Sequence, residues 1–290
     1  MTLKIDYISD LHIEFYFREY KDINERRVRM EFDSVFATKQ SDYLIVAGDT
    51  SEYPAYTERF FELLKELYGY KVILFTLGNH DIWLTNSGST YKPQGIKYYE
   101  VTSLHKMQYI SRMFEDNSAI LLDGTTVDIE GFKIGGAMGW VDDSYFNTYD
   151  APFRNPYSTL SIADIWKATM NDSKYIRHPS GTYDWLTSLE STKVHKVLQE
   201  GVDVLVTHLA PSIDLSLIDP VFHNKLSNNF YMFNALQEIK DYKVKAVIYG
   251  HMHSVKETII DGIPFYRNPY GYPKESERTK KTVKTIEVHK

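Results

Sequence analysis

The sequence predicts an α/β fold, a sheet core with helices packed around it, and three observations carry that reading. Short apolar runs rich in β-branched and aromatic residues recur along the chain, and several stop abruptly at Gly, Asp, Asn or His. Between them lie longer stretches, such as Pro54 to Tyr68, with apolar residues at helical spacing. No repeat, low-complexity tract or linker divides the chain, so residues 1–290 read as a single domain. With 43% hydrophobic and 25% charged residues, a chain of this length can bury a large core and does not have a disordered composition.

Leu3 to Ser9 is the first strand and ends in Asp10-Leu11-His12. Glu14 to Arg29 is polar, aromatic and charged, and reads as a surface loop. Asp42 to Ala47 is the second strand, closing on Gly48-Asp49-Thr50. In the helix Pro54 to Tyr68, Phe60, Phe61, Leu63, Leu64 and Leu67 form one apolar stripe, and Gly69 stops it. Val72 to Leu77 is a buried strand running into Gly78-Asn79-His80-Asp81.

Residues 85–96 form a loop, and Tyr98 to Glu115 a helix. Asp123-Gly124 and Glu130-Gly131 each sit between apolar runs and predict hairpins. Phe132 to Trp140 is a further strand. Residues 142–180 have weak periodicity and read as a long excursion with one or two short helices. Tyr183 to Glu200 is a helix, and Val202 to Thr207 a strand ending at His208. A helix follows from Phe230 to Ile239, then a strand, Val244 to Tyr249, ending in Gly250-His251-Met252-His253. Asp261-Gly262 marks a hairpin and Thr282 to Val288 a last strand.

The totals exclude several classes of function. A formal net charge of -6 argues against a general nucleic-acid binder, while leaving room for a local basic groove. With no Cys there is no disulfide framework, thiolate metal site or thiol nucleophile, so any metal must be held by His, Asp, Asn or Glu. Met1-Thr2-Leu3-Lys4-Ile5-Asp6 carries no signal-peptide pattern, and no apolar run approaches the roughly 18 residues of a membrane span. These features predict a soluble cytoplasmic protein without membrane association. The sequence leaves its oligomeric state open.

Metal-type side chains follow apolar strands at five places: Asp10 with His12, Asp49, Asn79 with His80 and Asp81, His208, and His251 with His253. Singly, each has a structural alternative. Asp10 would serve as a helix cap, Asp49 as a turn residue and His208 as a core histidine. Together they point to one edge of an open sheet, where the strand carboxyl ends gather a ligand site. Imidazole with carboxylate suits Mn, Fe or Zn better than Ca or Mg. Seven ligands exceed one tetrahedral ion and suit two ions about 3.5–4 Å apart. His105, His178, His195, His223 and His289 lack this context and read as structural.

The five blocks resemble the calcineurin-like metallophosphoesterases, whose pattern is D-x-H, G-D, G-N-H-D/E, H and G-H-x-H in that order. The resemblance implies a four-layer α/β/β/α sandwich of two mixed β-sheets flanked by helices. It implies that Asp10, His12 and His253 hold one metal, that Asn79, His208 and His251 hold the other, and that Asp49 bridges them. His80 would face the phosphate as catalytic acid, oriented by Asp81. The cofactor would be two divalent ions, Mn foremost, with Fe, Zn or Ni as alternatives. Such ions neutralise phosphate oxygens and activate a hydroxide for in-line attack on phosphorus.

Departures narrow the family. The second block lacks the arginine of the phosphoprotein phosphatases, and the long DNA-binding attachments of the family's nucleases are not evident. The ending Arg267-Asn268-Pro269-Tyr270-Gly271-Tyr272-Pro273 resembles the N-P-R-G-Y tail of a bacterial and phage group, as do Met170-Asn171-Asp172 and Ile176-Arg177. Tyr270 stands where that group commonly has Arg, which makes Arg177 and Arg267 the candidates to grip substrate phosphate. The expected function is a dinuclear metal-dependent phosphoesterase acting on a diester or monoester, with a small nucleotide-like substrate favoured. The alternatives are a nuclease for single-stranded or nicked nucleic acid and, third, a non-catalytic binding scaffold. Excursions near 14–38, 85–118 and 142–180 would overhang the site and set its specificity.

Overall fold

The computed structural model describes residues 1–85, 101–115, 119–149, 160–223, 225–275 and 281–290. The first half of the chain gives β1 (Thr2–Ile8), α1 (Glu25–Phe36), β2 (Tyr43–Ala47), α2 (Pro54–Tyr68), β3 (Val72–Thr76), α3 (Ser103–Phe114) and β4 (Ala119–Leu121). The middle gives β5 (Thr125–Ile129), β6 (Phe132–Gly136), α4 (Ser144–Tyr149), α5 (Ile162–Thr169), α6 (Asp172–Tyr175) and α7 (Thr182–Gln199). The last part gives β7 (Val204–Val206), α8 (Leu236–Asp241), β8 (Ala246–Tyr249), β9 (Lys256–Ile260), β10 (Ile263–Arg267) and β11 (Lys284–His289).

The strands form two mixed sheets. One has the order β11-β1-β2-β3-β4, with β1 to β4 parallel and β11 antiparallel beside β1. The other has the order β5-β6-β7-β8-β10-β9, parallel in the middle with antiparallel β5 and β9 at its edges. Strand alternation sorts the apolar residues into two cores. Leu3, Ile5, Tyr7, Ile45, Ala47 and Leu74 of one sheet meet Ile134, Val204, Val206, Ala246 and Ile248 of the other. Leu44, Val46, Ile73 and Phe75, on the opposite face, belong to the core beneath the helices with Phe60, Phe61 and Leu64 of α2. Strands buried on both faces read as unbroken apolar runs, which is the pattern the sequence shows. The result is a four-layer arrangement of helices, two sheets and helices. No described helix is long and apolar enough to cross a membrane.

Three local expectations are corrected. The stretch from Glu14 to Arg29 becomes helical at Glu25, capped by the Asn24 side chain, which accepts from Arg27 N at 3.2 Å. Val28, Phe32, Val35 and Phe36 bury that helix against the core, with Phe32 5.0 Å from Phe60. Asp123-Gly124 is no hairpin turn: β4 belongs to the first sheet and β5 to the second, so the turn carries the chain between sheets. Glu130-Gly131 and Asp261-Gly262 do join antiparallel neighbours, with positive φ at all four residues. The predicted helix from Phe230 divides into a 3-10 turn at Leu226–Tyr231 and α8, because Met232 pairs with Ala210 as an isolated β-bridge. Of the predicted loop at 85–96, residues 86–96 lie outside the described residues, as do 150–159 of the 142–180 stretch.

After β10 the chain crosses from the second sheet to the first. Ser9 N donates to Asn268 O at 3.1 Å, Tyr270 N to Ser9 O at 2.8 Å and Gly271 N to Asp10 O at 2.8 Å. This strap ties the carboxyl ends of the two sheets together beside Asp10.

Candidate active site

The five strand-end blocks converge, and their loops lock into one another. Asp10 N donates to Gly48 O, His12 N to Asp49 O and Gly250 N to His208 O, at 2.9–3.0 Å. Asp10, His12, Asp49 and His251 have φ of 52°, 44°, 53° and 68°, a left-handed conformation that side chains avoid unless their surroundings impose it. Two glycines permit the approach. A Cβ on Gly78 would run into the Asp49 carboxylate, and one on Gly250 would lie 2.6 Å from Ala47 O and 2.9 Å from Asp10 Oδ2.

Among the described residues three donor groups result, Asp10–His12–His253, Asp49–His208–His251 and His12–Glu14–His80, the donor atoms of each lying within 4.8 Å of one another, and the first two are built from the predicted ligands alone. In the first, His12 Nε2 and His253 Nε2 face each other at 3.2 Å, and His253 Nε2 lies 3.5 Å from Asp10 Oδ1. In the second, His208 Nε2 lies 3.3 Å from Asp49 Oδ2 and 3.0 Å from Asn79 Oδ1. Asp49 Oδ2 is also 3.7 Å from His12 Nε2, so this carboxylate spans the two clusters.

The outer nitrogens of three rings have partners of their own. His208 Nδ1 donates to Ala47 O at 2.9 Å and His251 Nε2 to Phe230 O at 3.3 Å, while His253 Nδ1 bonds Glu275 Oε1 at 2.8 Å. Each bond turns the other ring nitrogen inward as a lone-pair donor, the arrangement common to metal-ligating histidines. The electrostatics point the same way. Burial alone would lower His208 and His253, yet Asp49 and Asp10 drive both up to about 9. Burial and the neighbouring His208 push His251 down to about 3. The Asp49 and Asp10 carboxylates thus place His208 and His253 in a negative field, while His251 is held neutral. The residues therefore fit metal ions in donor type, orientation and charge.

His80 sits beside the clusters, stacked on Trp83 with ring centroids 3.6 Å apart. Its backbone N–H donates to Asp49 Oδ1 at 2.9 Å, and its ring Nε2 lies 3.3 Å from Tyr272 Oη. Among the described residues the Asp81 carboxyl makes no hydrogen bond to the His80 ring that it was expected to orient. Asp81 accepts from Asp49 N, Gly78 N and Ser51 N at 2.9, 2.7 and 3.1 Å, so its hydrogen bonds go to loop amides. Burial and the Asp49 charge push its carboxyl up to about 7 against the pull of the Gly78 and Ser51 amides. The carboxylate nearest the outer nitrogen of His80 is Glu52, 3.7 Å from Nδ1. Lys106, fully buried on α3, donates to Glu52 O at 2.7 Å and to Trp83 O at 2.8 Å, so one ammonium holds both walls of the His80 seat.

A cavity of about 620 Å³ opens over the clusters. Asp49, Asn79, His80, His251 and His253 form its floor, and Trp83, Met170, Asn171, Asp172, Phe222, Asn228, Tyr231 and Tyr272 are among its walls. Among the described residues its lining holds no Lys or Arg. The two candidate arginines do not line it. Arg267 is 1% exposed and donates to Ser254 O, Leu217 O and Ser254 Oγ, which makes it a tether for the loop after His253. Arg177 is half-buried, with its backbone paired to Ser103. Tyr270 points into the core against Phe32 and gives its hydroxyl to Glu31 O. The other five histidines have local roles; His105, for example, takes part in the capping box of α3.

Sequence reasoning missed Glu52, Trp83, Asp172, Tyr272 and Glu275. The positions of Glu52, three residues after Asp49, and of Asp172, within the singled-out Asn171-Asp172 pair, were the available signals.

The family model described as calcineurin-like phosphoesterase matches residues 3–255. Comparison with curated proteins gives no match. Among solved structures, a phosphopantetheinyl hydrolase from Mycobacterium tuberculosis is 20% identical with a TM-score of 0.68, over 95% of this chain and 92% of that one. The GAP50 anchor of the inner membrane complex of Plasmodium is 11% identical with a TM-score of 0.42, over 99% and 81%. A putative 5′-nucleotidase from Staphylococcus aureus is 12% identical with a TM-score of 0.40, over 94% of this chain and 49% of that one.

Proposed function

The chain belongs to the calcineurin-like phosphoesterase family and is a phosphoric ester hydrolase; on that premise we propose that it uses two divalent cations to hydrolyse a small phosphodiester. The observation that carries this reading is the outer hydrogen bonding of His208, His251 and His253, which turns three ring nitrogens toward two carboxylates and a carboxamide. Asp10, His12 and His253 would hold one ion, Asn79, His208 and His251 the other, and Asp49 both. The nitrogen and oxygen donor set suits Mn, with Fe, Zn or Ni as alternatives. When bound, the two ions neutralise phosphate charge and make water a nucleophile at neutral pH.

The remaining work belongs to the protein. Trp83 and Tyr272 hold His80 at the cavity floor, where its imidazolium is placed to give a proton to the departing oxygen. Glu52 steadies that ring. The cavity volume is in the range of small-ligand sites, and its aromatic and amide walls suit a nucleoside-like arm. A described lining without Lys or Arg favours this reading over a nuclease, which tracks a phosphate backbone with basic side chains. Monoester hydrolysis and action on nucleic acid are the alternatives.

The test is hydrolysis of bis-p-nitrophenyl phosphate against p-nitrophenyl phosphate with Mn, Ni, Zn or Mg. Faster diester turnover is expected, lost in a His80→Ala protein that still binds metal. The absence of turnover with any metal would defeat the proposal. Cyclic nucleotides and labelled single-stranded DNA then separate the small-substrate reading from the nuclease.

A further inference from the structure

Asp172 opens α6 and is 3% exposed, at the wall of the cavity. One of its oxygens, Oδ1, accepts two hydrogen bonds, from Asn79 Nδ2 at 2.8 Å and from Trp83 Nε1 at 2.7 Å. The two donors belong to different parts of the site. Asn79 turns its own Oδ1 to His208 Nε2, and Trp83 carries His80 on its ring face.

A carboxamide is nearly symmetric in shape and opposite in chemistry at its two ends. Its oxygen can accept a hydrogen bond or bind a cation, whereas its NH₂ only donates. An ionised carboxylate only accepts, so a neighbouring one selects the amide orientation in which the NH₂ faces it. We infer that Asp172 is the positioning residue that fixes Asn79 with its oxygen toward the metal cluster, and that through Trp83 it also sets the seat of His80. The inference rests on the metal-site reading above and adds to it the group that decides which atom Asn79 presents. A flipped Asn79 would aim two N–H groups at a cation, so the second metal depends on a residue that does not touch it.

The experiment is calorimetric titration of Mn²⁺ into metal-stripped protein, with circular dichroism following the fold. Wild-type protein is expected to bind two equivalents. Asp172→Ala should weaken one binding event by about 10–100-fold, the range for loss of a partner to a metal ligand, and leave the other near wild type. Asp172→Leu keeps the heavy-atom branching without an acceptor and should give the same split. Asp172→Asn still offers an amide oxygen to both donors and should restore the weakened event to within about threefold of wild type. Trp83→Phe should leave both Mn²⁺ affinities intact and lower kcat.

Wild-type affinities in both non-acceptor variants would overturn the inference and leave the metal reading standing. Equal weakening of both events together with loss of fold, unrelieved in Asp172→Asn, would overturn it as a general structural effect. Wild-type protein that binds no Mn²⁺ would defeat the metal reading, and this inference with it.

Discussion

Asp81→Asn decides between two roles for a residue beside the proposed acid. In the structure Asp81 Oδ2 accepts from Asp49 N and Gly78 N, and Oδ1 from Ser51 N. The substitution conserves volume and leaves one acceptor oxygen. If that oxygen keeps the Asp49 and Gly78 amides, the new NH₂ meets the Ser51 N–H, donor against donor. One hydrogen bond to a buried carboxyl is lost and a buried donor is left unsatisfied, for a cost of about 2–4 kcal/mol. At an unfolding entropy of about 2.1 cal/mol/K per residue, a chain this long should lose about 3–7 °C in Tm. Because the bonds hold the loop of Asp49, the shared carboxylate, Mn²⁺ affinity should fall with Tm. The assay is thermal unfolding and Mn²⁺ titration on the same preparation, beside the pH profile of diester hydrolysis. A variant with wild-type Tm and Mn²⁺ affinity but a displaced pH profile would refute the latch and return Asp81 to the role of orienting His80.

Glu52→Gln should lower kcat for diester hydrolysis by about 10–100-fold while Mn²⁺ affinity stays at the wild-type value, since Glu52 faces His80 Nδ1; unchanged kcat would count against it. Gly250→Ala should destabilise the protein by about 1–3 kcal/mol in urea unfolding and weaken Mn²⁺ binding, because the new methyl meets Ala47 O, Ser9 Cβ and Asp10 Oδ2 at 2.6–2.9 Å. The buried tyrosines should add a fall in stability that begins above about pH 10. Burial first, and then Glu257, Asp6 and Asp143, raise Tyr7, Tyr70 and Tyr183 above their usual 10.0. The unfolded chain then loses protons that the folded one keeps, so each ring contributes a fall of up to about 1.4 kcal/mol per pH unit. Urea unfolding at about pH 9 and about pH 11 measures the slope, and a flat profile would contradict it.

The strands were legible because burial on both faces leaves an unbroken apolar run, and the metal-type residues sit where such runs stop. Helix α2 was legible to the residue, since Pro54 begins it and Gly69, at φ 71°, ends it. Helix α1 was hidden because Glu25, Arg26, Arg27, Arg29 and Glu31 crowd its apolar positions into isolated residues. Asp123-Gly124 misled because a turn dipeptide reports its own backbone and not whether the next strand pairs with the last. The supporting groups were the least legible part of the site. Asp172 is 93 residues from Asn79 and Glu275 is 22 from His253, and no local pattern announces a partner brought up by the fold.

The tail shows how a resemblance in sequence can misassign a charge. An arginine beside a conspicuous N-P-x-G-Y motif invites the reading that it grips phosphate. In the structure the same segment answers a mechanical need. Four site residues stand at positive φ, and each such residue costs on the order of 1–3 kcal/mol unless its surroundings fix it. Asp10 is fixed partly by the strap, through Gly271 N on its carbonyl and Tyr270 N on that of Ser9. Arg267 secures the loop after His253, and Asn268 donates to Tyr7 O and Thr282 O. The polar groups of this tail are thus engaged in holding the two sheets' ends in register, while Tyr272 and Glu275, just beyond it, are delivered to His80 and His253. A substrate-facing cation placed at Arg267 would have to abandon those bonds, so this arginine is committed to the architecture of the site.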